Sequence, residues 1–431
     1  MKKLILPALL APCLLSCGSQ GNATREVSVK NDLRAPAYPL VTIDPYTSAW
    51  SASDQLYEST VQHWTGKGFP LLGVLMVDGK PYRFMGLEEQ EMLPIVPTSQ
   101  QADWTGRYTT DTPAANWTAP DFNDSSWKSD RGAFGTMENE PTAKTQWGTR
   151  NIWVRRTVDI DRDLSEIPVY LEFSNDDDAV FYINGTEVHS TGSTCNKNKV
   201  IKLSDEARAA LRQGTNVIAA ECINPIGNGL LDFGLLIPKD LNTLFAQTAT
   251  QTSADVQATQ THYTFTCGPV DLAITFSAPM FMDDLELLSR PVNYLSYNVS
   301  STDGKAHDME IYFEAAPAWA LDQPYQASAS ETYEKDGLLF LKTGSREQDV
   351  LAKRGDHIRI DWGHFYMAAP AGNATSGIGS VDTLRKNFVN GEKLSETTSG
   401  TDSEGNLALV CDLGDVKSAA GKIMLGYDDI Y

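Results

Sequence analysis

Three consecutive carboxylates, Asp176-Asp177-Asp178, stand where a loop should join two β-strands. Carboxylates this close repel unless they are solvated, bonded to backbone N–H groups or neutralised by a cation. They read first as a solvated loop and second as a ligand or calcium loop; a structural calcium ion there is the one cofactor implied. Asp283-Asp284 and Asp428-Asp429 are further pairs. Paired acids can divide acid and base roles, but neighbours on a strand point to opposite faces, so each pair reads as structural. Asp159-Ile160-Asp161-Arg162-Asp163 opens like a calcium loop, yet Leu164 replaces the needed Gly and Tyr170 the closing Glu. His357, Asp361 and His364 would share a helix face and suit a metal. Ile358, Ile360 and Trp362 instead impose a strand period, which sets the two histidines on opposite sides. HExxH, GxSxG and a phosphate-cradling Gly-Lys-Ser/Thr loop are all missing from the sequence. The catalytic residues stay unknown at this stage.

Trp104, Trp117, Trp127, Trp147 and Trp153 crowd one stretch. Flat indole faces stack on sugars, which makes a glycan a candidate partner, but cores and strand ends use Trp equally.

The first thirty residues address the compartment. Met1-Lys2-Lys3 and the apolar run Leu4 to Leu15, interrupted by Pro7 and Pro12, form an export signal too short to span a bilayer. Leu14-Leu15-Ser16-Cys17 resembles a lipobox, which makes Cys17 the lipid-attachment residue and residues 1–16 the signal; plain secretion with cleavage near Ala23 is the alternative. The expected location is the cell envelope, lipid-anchored on the periplasmic or outer side of a bacterial membrane, or secreted. If Cys13 leaves with the signal and Cys17 is acylated, Cys195, Cys222, Cys267 and Cys411 remain and allow three pairings. Export permits disulfides, and Cys195 with Cys222 is the easiest pair; buried free thiols are the equal alternative. No CxxC calls for zinc.

At 431 residues the chain is long enough for two to four domains. Lys plus Arg number 35 and Asp plus Glu 56, and 35 − 56 = −21, a charge that repels phosphate backbones and excludes nucleic acid as a partner. The elements that must position the acids and aromatics are β-strands. Leu71 to Val77, Asp78-Gly79 and Lys80 to Phe84 predict a hairpin, because Asp-Gly supplies the positive φ values of a type I′ turn. Asn184-Gly185 predicts a second. Ile152 to Ile160, Val169 to Phe173, Ala179 to Ile183, Asn216 to Cys222, Tyr263 to Thr266, Leu272 to Phe276, Val292 to Val299, Glu310 to Ala315, Leu338 to Thr343, Ile358 to Trp362 and Leu407 to Cys411 all read as strands. Only Asp205 to Arg212 reads as helical. The fold class is all-β, multi-domain β-sandwiches.

Asn116-Trp117, Pro120 to Trp127, Asn151 to Arg156, Asn175 to Gly185 and Gly214 to Ala219 resemble the galactose-binding-like jelly-roll. Asp44-Pro45-Tyr46, Trp64-Thr65-Gly66-Lys67 and Phe84-Met85-Gly86 resemble the start of the glutaminase A-like family. Phe276 to Met280, Ser289 to Val292, Asp361-Trp362-Gly363-His364 and Gly426 to Tyr431 resemble its central β domain. The resemblance implies a tether at 17–35, an N-terminal β segment at 36–94, an inserted jelly-roll at 95–245 and a central, supersandwich-like β domain at 246–431. It implies hydrolysis of the glutamine side-chain amide, so a small-molecule amide joins the glycan as candidate substrate. In that family a helical, toroid-like domain follows; the sequence shows no long amphipathic helix, and the expectation is a β-rich portion truncated before it. A carbohydrate-binding surface lipoprotein and a fragment of a toroid-bearing glycoside hydrolase are the alternatives.

Overall fold

The computed structural model describes residues 34–88, 90–239, 243–354, 358–394, 399–400 and 405–429. Cys17 and His357 lie outside them. Strands dominate the described residues, and they build the all-β, multi-sandwich architecture expected from the turn spacing. No helix among the described residues is long and apolar enough to cross a membrane.

Local chemistry explains the hairpins. Asp78 and Gly79 take φ of 49° and 75° between Leu71–Val77 and Lys80–Met85, and Asn184 and Gly185 take 48° and 91° between Asp178–Ile183 and Thr186–Ser190. Positive φ at both central residues matches the turn to the right-handed twist of the flanking strands.

Residues 38–85 and 249–427 share one core. A nine-stranded antiparallel sheet runs in the order Thr250–Val256, Gln260–Cys267, Val270–Ser277, Val292–Ser301, Ser418–Asp428, His364–Pro370, Leu338–Ser345, Ser328–Lys335, Ser399–Gly400. It packs on a five-stranded sheet ordered Ala374–Gly379, Asn406–Val416, His307–Ala315, Leu71–Val77, Lys80–Met85. Leu71–Val77 reads apolar throughout because both its faces are covered. Leu71, Leu75 and Val77 enter the large core, while Leu72, Val74 and Met76 pack with Leu384 and Phe388 of the helix Val381–Val389. Each such side chain contributes about 1.5–3 kcal/mol by leaving water.

Residues 96–237 build a second core between two six-stranded sheets. Tyr170–Asp176 and Leu230–Pro238 lie in one, Asn151–Ile160 and Gly214–Ile223 in the other. Where the chain passes between the two cores, Glu88 accepts the main-chain N–H groups of Leu244 and Phe245 at 2.7 and 2.8 Å, tying both crossings together.

Two expectations need correction. Ile358 to Trp362 is not a strand; Arg359, Ile360 and Asp361 are buried but joined to side chains rather than to a ladder. The helix Val381–Val389 was not expected, and Leu285–Leu288 adds a short helical turn beside the expected Asp205–Ala209.

Candidate functional site

The Asp176-Asp177-Asp178 run lies at the junction of two strands. Asp176 ends one strand and Asp178 begins the next, where it accepts from Ser193 Oγ at 3.1 Å. Burial and then the Asp177 charge raise the Asp176 carboxyl to about 6. Asn175 ties the loop to itself, donating to the Asp177 carbonyl and to the Thr194 carbonyl. Among the described residues no group of three or more His, Cys, Asp or Glu side chains is arranged to hold a metal. The Cys195–Cys222 disulfide is also absent: both are free thiols, Cys195 exposed and Cys222 buried with Sγ toward the Asp176 carbonyl. Burial pushes Cys195 up to about 11 and Cys222 further.

The crowded tryptophans are packing residues. Trp104, Trp117, Trp147 and Trp153 are buried, and Trp127 packs with Trp117 and Phe122. The loop Pro120 to Trp127 is held because Asp124 accepts from Arg155 at 2.9 Å while Arg155 also donates to the Trp117 and Ala119 carbonyls. Conspicuous sequence here encodes architecture.

A different set of residues meets at one end of the large sandwich. His63 ends the strand Gln62–His63 and Trp64 follows it, and both donate to the Pro45 carbonyl, His63 Nε2 at 3.1 Å and Trp64 Nε1 at 2.7 Å. With its N–H used internally, Trp64 presents the rest of its ring outward, 65% exposed. Lys67 Nζ donates to the Asp322 carbonyl at 3.1 Å and lies 3.7 Å from the Asp322 carboxylate. Lys353 pairs with Asp361 and lies 3.7 Å from Asp322. Gln326 Nε2 donates to Asp361 at 2.7 Å. The buried Arg359 binds the Asp322, Gly68 and Ala318 carbonyls, and its own N–H donates to Asp322 Oδ1 at 2.9 Å. Tyr427 Oη donates to the Trp362 carbonyl at 2.7 Å. Gly363 sits at φ +81°, and a Cβ there would come 2.5 Å from the Asp428 carbonyl, so only glycine lets the two segments pass.

Asp44-Pro45-Tyr46, Trp64 to Lys67, Asp361 to His364 and Gly426 to Asp429 are thus neighbours in space. Burial, opposed by Asp322, lowers the Lys67 ammonium to about 8. Burial pushes Asp322 up, but the Arg359 N–H and then Lys67 outweigh it and leave the carboxyl below its usual value. Burial lowers His63 to about 4 and keeps it neutral. An ammonium near 8 beside the Asp322 carboxylate can hold a carboxylate or a carbonyl oxygen and can exchange a proton near neutral pH. Lys353, Asp322 and Arg359 were not singled out from sequence; Lys67 stood only inside a motif, and Asp361 was weighed only as a metal ligand with His357 and His364.

Residues 259–431 match a domain of unknown function (DUF5127), and residues 11–97 match another (DUF4964). Over 184 residues the chain is 28% identical to glutaminase A of Aspergillus oryzae (strain ATCC 42149 / RIB 40), a stretch covering 41% of this chain and 26% of that protein. The match therefore spans about a quarter of that relative's length. Among solved structures, a Bacteroides uniformis beta-glucuronidase aligns at 14% identity and TM-score 0.28, over 53% of this chain and 32% of its own. A Ruminococcus gnavus beta-glucuronidase aligns at 11% identity and TM-score 0.26, over 53% of this chain and 43% of its own. Superpositions this loose carry no argument about activity.

Proposed function

We propose that this chain is the β-rich part of a glutaminase-like amidohydrolase, acting on the side-chain amide of glutamine to give glutamate and ammonia. The observation that carries the reading is convergence: the segments resembling that family, far apart in sequence, meet around Lys67, Asp322, Lys353 and Asp361, and the similarity to glutaminase A points the same way. The same proposal places the protein at the cell envelope through acylation of Cys17. The glycan-binding alternative keeps the jelly-roll resemblance but not the crowded tryptophans, four of which are buried and the fifth packed against their rings.

The test is ammonia release from L-glutamine, read by a coupled glutamate assay, for the chain alone and for the full open reading frame that contains it. Release that Lys67→Met reduces at least tenfold is the expected result. Turnover of a glycoside, with glutamine untouched by either form, overturns the reading.

A further inference from the structure

The loop 322–326 has two sides. One belongs to the charged end of the large sandwich. Asp322 meets Lys67, Lys353 and the Arg359 N–H, and Gln326 Oε1 accepts from the N–H groups of Asp322 and Gln323 at 2.7 and 2.8 Å while its amide reaches Asp361. The other side lies on the inserted sandwich. Tyr325 Oη donates to Glu172 Oε1, and Gln101 Nε2 contacts both Glu172 Oε2 at 2.8 Å and Tyr325 Oη at 2.9 Å. Asn198 Nδ2 donates to Gln323 Oε1 at 2.8 Å, and Asn198 is itself held by Gln100 at 2.6 Å.

Glu172 is 2% exposed and sits on the strand Tyr170–Asp176, which is paired on both edges, so its position is fixed by two ladders. Among the described residues no cation pairs with it. Its carboxylate is satisfied by the two hydrogen-bond donors that also hold the loop. Buried carboxylates are costly unless so bonded, which makes this contact specific rather than incidental. The polar face of Glu172, Gln101 and Asn198 is an interaction surface, and its partner is a loop of the same chain.

We propose that the inserted sandwich is an intramolecular brace: by gripping loop 322–326 it sets the geometry of the end where Lys67, Asp322, Lys353 and Asp361 meet. Its task is positioning, not ligand capture. This holds whatever reaction, if any, that end supports.

The test uses the full chain, with amide hydrogen exchange and the pH profile of Lys67 modification by an amine-selective reagent as readouts. Tyr325→Phe should speed exchange at 322–326 and at 359–363 roughly tenfold to a hundredfold, the effect of losing a hydrogen bond to a charged group. It should also move the Lys67 midpoint up from about 8 toward the ordinary 10.5, as the ammonium regains water. Glu172→Gln keeps an acceptor for Tyr325 but turns an NH2 toward the Gln101 donor, so it should fall between the parent and Tyr325→Phe, whereas Glu172→Ala should follow Tyr325→Phe. Glu221→Gln, on the other sheet against Trp153, should change neither readout. Faster exchange around Glu172 with 359–363 and the Lys67 midpoint unmoved overturns the brace. If Tyr325→Phe unfolds the chain, Asn198→Gly, which tolerates the φ of 50° there, removes the Gln323, Gln100 and Ser174 bonds of that side chain; a smaller shift in both readouts supports the brace, and no shift overturns it.

Discussion

The inserted sandwich and the charged end of the large sandwich both bury cations, and they treat them differently. In the insert, Arg156 stacks over Trp104 at 3.9 Å and donates to the Phe233 and Pro97 carbonyls, and Arg155 is equally saturated. Nothing is left for a ligand. At the charged end, Lys67 has one carbonyl in reach and its carboxylate at 3.7 Å, Lys353 is partly open to water, and Trp64 stands exposed beside them. Motif density therefore marks fully satisfied packing in one region and partly satisfied charges in the other. Saturation of the charges, not their number, separates the two.

Four measurements would break or sharpen this contrast. The large sandwich has one saturated pair of its own, Arg385 with Glu314, which also accepts from Tyr312 at 2.7 Å. Glu314→Ala should cost about 3–5 kcal/mol in denaturant unfolding, because it strands a buried guanidinium; a loss under about 1 kcal/mol would show that buried pairing means little here. Next, His63 has its folded pKa lowered to about 4 against 6.5 in the unfolded chain. Between those values the unfolded chain binds more protons, so stability should climb with pH across 4 to 6.5, by roughly 1 kcal/mol per unit. His63→Gln should flatten that slope in unfolding series at fixed pH. Asp361→Ala removes the buried acceptor of Gln326 and of the partly exposed Lys353, so about 1–3 kcal/mol is expected from melting curves. Smallest of all, Trp64→Ala should stay within about 0.5 kcal/mol in stability; a larger loss would make Trp64 part of the fold rather than part of the surface.

Much of the architecture was legible. Asp78-Gly79 and Asn184-Gly185 announce their turns because few other dipeptides accept two positive φ values, and Asp178–Ile183 alternates with a period of two while Leu71–Val77 is a short apolar run. The helix Val381–Val389 was missed although Ser380 caps it through the Thr383 N–H, because its apolar stripe is only Leu384 and Phe388. Ile358 to Trp362 misled in the opposite sense. Its alternation is real, but Arg359 and Asp361 are buried by charge partners from distant loops, not by a neighbouring strand. The Trp-rich stretch and the Asp176 to Asp178 run drew the eye because composition cannot tell a packed ring from a presented one.

Sequence alone determined what is local: the all-β class, the hairpins, the strand order within each hairpin, and the net acidic charge. Tertiary structure decided which charges face one another, since Lys67 meets Asp322 across 255 residues and Gln101 meets Tyr325 across 224. Such pairs leave no periodic trace, because loop ends are brought together only by the register of sheets formed from remote strands.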